Sequence, residues 1–293
     1  MEQPVKSAMT VDVEDYFHVS AFESKVTFAD WGKTYPIRVE RNTQKILELF
    51  ANHDAKATFF VLGWVAEQCP ELIKQITSQG HELACHGFAH QRANHQSREV
   101  FREDVYRAKS YLEEITGVEV KGYRAPSFSI GPSNEWAYEV LRDLGFLYSS
   151  STYPVKHDLY GTPDWPKFIY QRKEGVIEIP IPTNKTMGMN LPIGGGGFFR
   201  LYPYSLSKTL ITNFLAQTGQ PYCFYFHPWE IDPGQPRMAG VPLKSSFRHY
   251  LNLSLMEKRL SQLLSDFEWD TMFNVYQLNG FENDRTTANQ NNN

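Results

Sequence analysis

The sequence predicts an α/β fold, a distorted (β/α) barrel of about seven strands, and three observations predict it. Short apolar runs alternate with amphipathic stretches along almost the whole chain. The best-defined run, 57–62 (ATFFVL), is continuous rather than alternating, as in a strand covered on both faces of a parallel sheet. Gly80, Gly117 and Gly145 follow amphipathic stretches, where a left-handed residue closes a helix. Repeated β/α units imply a parallel sheet. Seven strands fall one short of a regular barrel, so a distorted (β/α)7-type barrel is expected ahead of an open doubly wound sheet.

The elements follow in order. Residues 8–13 form the first strand. Residues 40–51 carry Ile46, Leu47, Leu49 and Phe50 on a helical period. Residues 57–62 are the second strand. Residues 67–78 are expected as one helix with Leu72, Ile73 and Ile76 inward, and 81–85 as a short strand. A helix over 99–115, a strand over 118–124 and a helix over 133–144 come next. Strands at 176–181, 221–226 and 271–276 are interleaved with helices at 204–216 and 255–266. No linker divides the chain, so 1–280 are expected as a single domain, with an extension over about 230–280. The polar tail 281–293 is expected to be disordered.

Composition narrows the function. A 293-residue chain can bury a large core, and 41% hydrophobic with 14% aromatic residues suits a globular protein. A net charge of −4 gives no electrostatic reason to expect nucleic acid. No run approaches the length of a membrane-spanning helix. The start, MEQPVKSAMT, lacks the pattern of a secretory signal. Three cysteines, Cys69, Cys85 and Cys223, are too few for a disulfide framework. A cytoplasmic setting is therefore expected.

Chemistry-bearing residues fall at strand ends, where α/β folds collect their sites. Asp12, Glu14 and Asp15 follow the first strand, and His86 and His90 the third. Arg124 follows the fourth, and His227 the aromatic strand at 221–226. A lone HxxxH is more often two surface histidines than a metal site. Two histidines with a carboxylate, leaving positions for water, make the ligand set of a catalytic metal centre. Cys85, beside His86, is expected to pack inward because neighbouring strand residues point opposite ways. The run Gly194–Gly197 lacks the Lys-Ser/Thr of a phosphate loop and is expected as a flexible loop beside the site.

The order of these motifs resembles the NodB-homology polysaccharide deacetylases, carbohydrate esterase family 4. The likeness rests on 10–15, His86–His90, Arg124–Pro126, 148–153 and 225–227. DVEDYFHV (12–19), GYRAPSFS (122–129), LPIGGGGFFR (191–200) and FHPWEID (226–232) resemble most the subfamily encoded beside exopolysaccharide and exosortase (PEP-CTERM) loci. The resemblance implies a divalent metal, expected as Zn2+ with Co2+, Ni2+ or Mn2+ as alternatives, on His86, His90 and Glu14 (or Asp15). It implies Asp12 as general base, Arg124 as its partner and His227 as general acid. Pro126, Phe128 and Trp229 are expected to meet the substrate, an N-acetylated glycan. The activity implied is metal-dependent de-N-acetylation of an amino-sugar polysaccharide or its precursor in bacterial exopolysaccharide biosynthesis, with association with the synthesis machinery. The rivals are a metal-independent small-amide hydrolase of the allantoinase-like branch, an inactive glycan-binding barrel, and an assembly protein of the polymer-making complex.

Three departures from the family pattern matter. Val13 stands where a second aspartate is usual, Gly87 where a serine is usual, and serine occupies 149–151 where an aspartate normally tunes the acid histidine. Glu230, Asp232 and Asp164 are the candidates for that last role.

Overall fold

The computed structural model describes residues 5–157, 161–186 and 189–281. Its centre is β1 (Ser7–Val13), buried along its whole length. Around it run β2 (Thr58–Val61), β3 (Glu82–Cys85), β4 (Gly122–Tyr123), β5 (Tyr148–Ser149), β6 (Tyr170–Gln171) and β7 (Ile177–Glu178). A separate antiparallel hairpin, β8 (Thr183–Thr186) with β9 (Met189–Pro192), precedes β10 (Cys223–Phe226) and β11 (Trp269–Asp270). The large sheet runs β10-β1-β2-β3-β4-β5-β7-β6, with β11 also on β1. Every pair is parallel except β6 with β7. The sheet curls towards closure. Gly195 bridges Tyr225 beside β10, and Ile181 N donates to Thr152 O at 3.0 Å. This is the expected α/β distorted barrel, with seven parallel strands from β10 to β7.

Helices cover the outside. They are α1 (Val39–Asn52), α2 (Gly63–Gln68), α3 (Pro70–Ser78), α4 (Arg98–Thr116) and α5 (Trp136–Asp143). After the midpoint come α6 (Gly196–Leu201), α7 (Tyr204–Thr218), α8 (Leu243–Tyr250), α9 (Leu253–Asp266) and α10 (Met272–Val275). In α4 the buried residues Phe101, Val105, Ala108 and Leu112 make one stripe, the spacing of a core-facing helix. Gly117, left-handed at φ 67°, ends it.

Three expected elements differ. The helix over 67–78 is two, α2 and α3, broken at Cys69 (φ −133°). Pro70 lacks an N–H and disfavours the helical region for the residue before it. The strand over 118–124 shrinks to β4, since its first residues serve the close of α4. Lys109 Nζ donates to Val120 O, and Val120 N to Glu113. The last strand over 271–276 is instead α10, because the Thr271 side chain caps it by accepting from Asn274 N. The final strand is β11, just upstream. The tail beyond residue 281 lies outside the described residues.

The register places the site. Val61 pairs with Cys85, Cys85 with Tyr123, and Tyr123 with Ser149. Val11 pairs with Phe226. One residue further along, Asp12, His86, Arg124, Ser150 and His227 therefore leave the sheet at the same C-terminal end.

Candidate metal and catalytic site

The chain turns sharply after β1, and that turn separates three carboxylates. Asp12 is on the strand. Glu14 N donates to Asp12 O at 2.9 Å, which aims Glu14 over the strand ends. Asp15 faces the other way. Its Oδ1 accepts from Tyr16 N at 2.9 Å, and its Oδ2 from Arg38 N and Val39 N at 2.5 and 2.8 Å. Asp15 thus ties the turn to the start of α1 and is not among the groups clustered with the histidines. Burial pushes its carboxyl up to about 6, against those N–H groups.

Glu14, His86 and His90 each present a ligand atom, all within 4.8 Å of one another. The loop carrying the histidines is wound tightly by Asp104 of α4, which accepts from Phe88 N and Ala89 N. Gly87 is left-handed at φ +77°, and a Cβ there would lie 2.9 Å from Asp104 Oδ2. Glycine in place of the usual serine is the consequence of that approach. His86 Nδ1 lies 2.8 Å from the Arg124 carbonyl. A carbonyl only accepts, so Nδ1 carries the proton and the Nε2 lone pair is left to bind. Burial holds His86 down to about 4, and hence neutral.

Glu14 is 3% exposed, and its Oε1 accepts from Trp229 Nε1 at 3.1 Å. Its Oε2 faces His90 Nε2 at 2.6 Å and has no further hydrogen-bond partner. Burial would raise this carboxyl, but the charges of His90 and His227 outweigh it and hold Glu14 well below the usual range. A buried carboxylate whose oxygen meets nothing but imidazole, clustered with two imidazole nitrogens, fits a divalent cation.

Beside this triad stands Asp12, held by Arg124, which is fully buried. Arg124 Nη1 donates to Asp12 Oδ1 at 2.6 Å and to Thr10 Oγ1 at 2.8 Å. Its Nε and Nη2 donate to the Ser150 carbonyl and hydroxyl, each at 3.1 Å. The guanidinium also lies 4.1 Å over the Phe60 ring. Four hydrogen bonds fix the arginine, so the arginine fixes Asp12.

His227 faces the same space. Its Nε2 is 3.5 Å from Glu14 Oε1 and 4.0 Å from Asp12 Oδ2. Its Nδ1 is 2.9 Å from Glu230 Oε1. Burial disfavours the imidazolium, but Glu14, Glu230 and Asp12 together push His227 up to about 9. Glu230 in turn accepts from buried Arg200 Nε at 2.6 Å. That cation overcomes the effect of burial and keeps the Glu230 carboxyl low. Of the three candidates for this role, Glu230 is the one beside His227. Asp232 pairs with Arg38, Arg41 and Asn42, and Asp164 is exposed on a turn. Where the aspartate was expected, Ser149 Oγ donates to Ser151 Oγ at 2.7 Å, and Glu178 of β7 accepts from Ser151 N, Thr152 N and Thr152 Oγ1.

A cleft of about 460 Å³ opens above these groups, walled by Asp12, Glu14, His86, His90, Phe128 and His227 among others. Pro126 is buried and does not reach this wall. Phe128 does, on left-handed backbone at φ +49°. Trp229 touches the cleft but cannot serve as an open sugar platform. Its rings stack 5.1 Å from His227 and 4.3 Å from His249, and its N–H holds Glu14. The glycine run is not a loose loop either. Gly195 is bridged to Tyr225, a Cβ there would meet that ring at 2.7 Å, and Gly196 begins α6 against Glu230. Cys85 packs inward as expected. Sequence reasoning missed Arg200, and the signal for it was slight: one basic residue closing an aromatic segment.

Residues 25–149 match the family model described as Polysaccharide deacetylase, and residues 150–277 match one described as Domain of unknown function (DUF3473). The junction between the two falls at the end of β5, yet one sheet runs through both segments. A peptidoglycan-N-acetylglucosamine deacetylase of Bacillus cereus is 32% identical over 98 residues, 33% of this chain and 36% of that protein. A peptidoglycan-N-acetylmuramic acid deacetylase of Bacillus subtilis is 23% identical over 136 residues, 46% of this chain and 50% of that protein. The alignments thus span half or less of these curated relatives' own lengths. Among solved structures, a Mycobacterium smegmatis protein assigned to the polysaccharide deacetylases superposes with a TM-score of 0.61 at 19% identity. That superposition covers 96% of this chain and 93% of the other, which shows the fold.

Proposed function

We propose, for a chain whose residues 25–149 match the family model described as Polysaccharide deacetylase, that it is a metal-dependent hydrolase removing N-acetyl groups from an amino-sugar polysaccharide or its precursor. The reading extends to bacterial exopolysaccharide biosynthesis, in association with the polymer-making machinery on the cytoplasmic side. Its polymer context rests on the motif likeness over 12–19, 122–129, 191–200 and 226–232. The compartment is supported by Cys69, Cys85 and Cys223, buried as free thiols. One observation carries the chemistry: the Glu14–His86–His90 triad, its first two members buried, stands with a carboxylate held by an arginine and a histidine held by a carboxylate.

Glu14, His86 and His90 would hold the cation, which when bound acidifies water and polarises the acetamide carbonyl. Asp12, aimed by Arg124, takes the proton from the attacking water. The water oxygen bonds to the carbonyl carbon. As the C–N bond breaks, His227 gives its Nε2 proton to the departing amine. Glu230 on Nδ1 sets the ring orientation and favours the imidazolium needed for that transfer. Base and acid are separate groups whose surroundings differ in charge, the arrangement that hydrolysis near neutral pH requires.

The deciding experiment is acetate release from N-acetylglucosamine oligomers by the protein as isolated, after chelation, and after zinc is restored. Loss on chelation with recovery on zinc is expected. Asp12→Asn is expected to stop turnover while metal content stays at the wild-type level. Activity indifferent to chelation would sink the metal assignment, and near-normal activity of Asp12→Asn would sink the base.

A further inference from the structure

One helix beside the cleft presents the wrong face to water. In α8 only His249 is buried, whereas Leu243 and Phe247, one turn apart on the same side, are 89% and 62% exposed. Leu201, at the end of α6 and also on the cleft, is 48% exposed. The same helix carries Lys244 and Arg248, and Lys244, Phe247, Arg248 and Leu251 line the catalytic cleft with His227 and Glu14. An exposed apolar cluster of this kind marks a binding surface.

Nor is this helix loosely attached. Arg200 Nη1 donates to the carbonyls of His249 and Leu251 at 2.9 and 2.5 Å, and Nη2 reaches that of Arg248 at 3.3 Å. His249 stacks 4.3 Å from Trp229 and its Nε2 is 2.6 Å from Gln235 Oε1. The arginine that secures Glu230 therefore also secures α8, and the apolar face is held at the mouth of the cleft.

We propose that this face receives the carrier end of a lipid-linked glycan: an isoprenoid or similar chain against Leu243, Phe247 and Leu201, and its phosphate group against Lys244 and Arg248. The charge match selects this occupant. Two cations interleave with the apolar residues on one helix, the pattern that an anionic amphiphile complements. The surface is continuous with the catalytic cleft, so a sugar attached to that phosphate would enter towards Glu14 and His227. The inference deepens the deacetylase reading by naming the substrate as precursor rather than free polymer, and it rests on that reading for the sugar end alone.

The test is calorimetric titration of the full-length protein with farnesyl diphosphate, with inorganic pyrophosphate as control. Saturable binding at least tenfold tighter than pyrophosphate is expected. The double variant Leu243→Ser/Phe247→Ser is expected to lose at least tenfold in farnesyl diphosphate affinity, and Lys244→Glu/Arg248→Glu a similar amount. Both are expected to keep the wild-type melting temperature within a few degrees, since these side chains are exposed. Equal affinity for the two diphosphates would overturn the proposal. So would binding to anionic phospholipid vesicles with none to farnesyl diphosphate, which makes the face a membrane contact. A dimer on sedimentation that the apolar double variant dissolves would instead assign the face to a second copy. Farnesyl diphosphate binding without acetate release from any glycan would leave this surface standing and remove the deacetylase reading.

Discussion

The part of the molecule up to β5 and the part after it build the site in different ways. In the first, His86 and Arg124 sit at the ends of adjacent strands and Asp12 on β1, one strand away across β2, so the hydrogen-bonded register brings them to one end of the sheet. In the second, the acid histidine depends on cross-links. Arg200 reaches Glu230 across 30 residues, and Trp229 reaches Glu14 across 215. The lesson is that the positions of base, metal ligands and acid come with the sheet, whereas the charge and orientation of the acid come with side chains wedged against it. The same Arg200 also fixes α8. In this molecule, control of the acid and shape of the cleft mouth are a single structural feature.

The comparison can be broken most forcefully on the first side. His86→Ala is expected to abolish metal retention and to lower activity by about 10³-fold or more, read by metal analysis and acetate release. Metal retained at one equivalent would show that the triad is not the binding site.

On the second side, Arg200→Met leaves Glu230 charged and buried without its cation. A stability loss of about 3–5 kcal/mol is expected from denaturant unfolding. Glu230→Gln keeps the shape and removes the charge, so a decrease in kcat of about 10–100-fold with unchanged metal content is expected. The alkaline limb of its pH profile should move to lower pH, because His227 loses a partner that raises it. A Glu230→Gln enzyme with wild-type kcat and pH profile would mean that Glu230 supports packing only.

Asp15→Asn sharpens the assignment within the first motif. It removes charge from a carboxylate that accepts three backbone N–H groups. About 1–2 kcal/mol of stability should be lost with metal affinity intact, whereas Glu14→Gln should lose metal with little change in unfolding. The opposite pattern would exchange the two roles.

The last effect concerns pH rather than catalysis and falls on His81, in the first half but away from the site. Its Nδ1 accepts from Ala57 N, and burial holds it down to about 4. The unfolded chain takes up a proton near pH 6.5 that the folded chain refuses, so stability present above pH 6.5 is lost as pH falls towards 4. The slope is worth up to about 3 kcal/mol. Urea midpoints at pH 7 and pH 4.5 for wild type and His81→Gln should show a smaller decrease for the variant. Equal decreases would assign the acid sensitivity to other histidines.

Much of the first half was legible because strand-end placement is a periodicity argument. Continuous apolar runs announce buried parallel strands, and whatever follows them lands at the site. His86, His90, Asp12 and Arg124 could be picked out on that ground. The helix break at Pro70 was legible in principle from the proline rule. The second half was less so. β5 is two residues long, too short for any pattern, whereas β7 falls within the strand expected over 176–181. The Thr271 cap decided helix over strand in a stretch whose apolar residues suit either. Trp229 looked like a sugar platform because an aromatic near a histidine often is one. Only the fold shows its indole stacked against two histidine rings and its N–H committed to Glu14.

The sequence by itself determined the fold class, the end of the sheet at which chemistry collects, and the residue types available there. These follow from local periodicity and from the fixed alternation of side chains along strands. Tertiary structure alone decided which of Glu14 and Asp15 turns towards the histidines, which acidic residue holds His227, and that Arg200 stands behind both Glu230 and α8. Each of those outcomes is a choice between chemically equivalent partners. Distance and the competition for buried N–H groups settle such a choice, and neither quantity exists before the chain has folded.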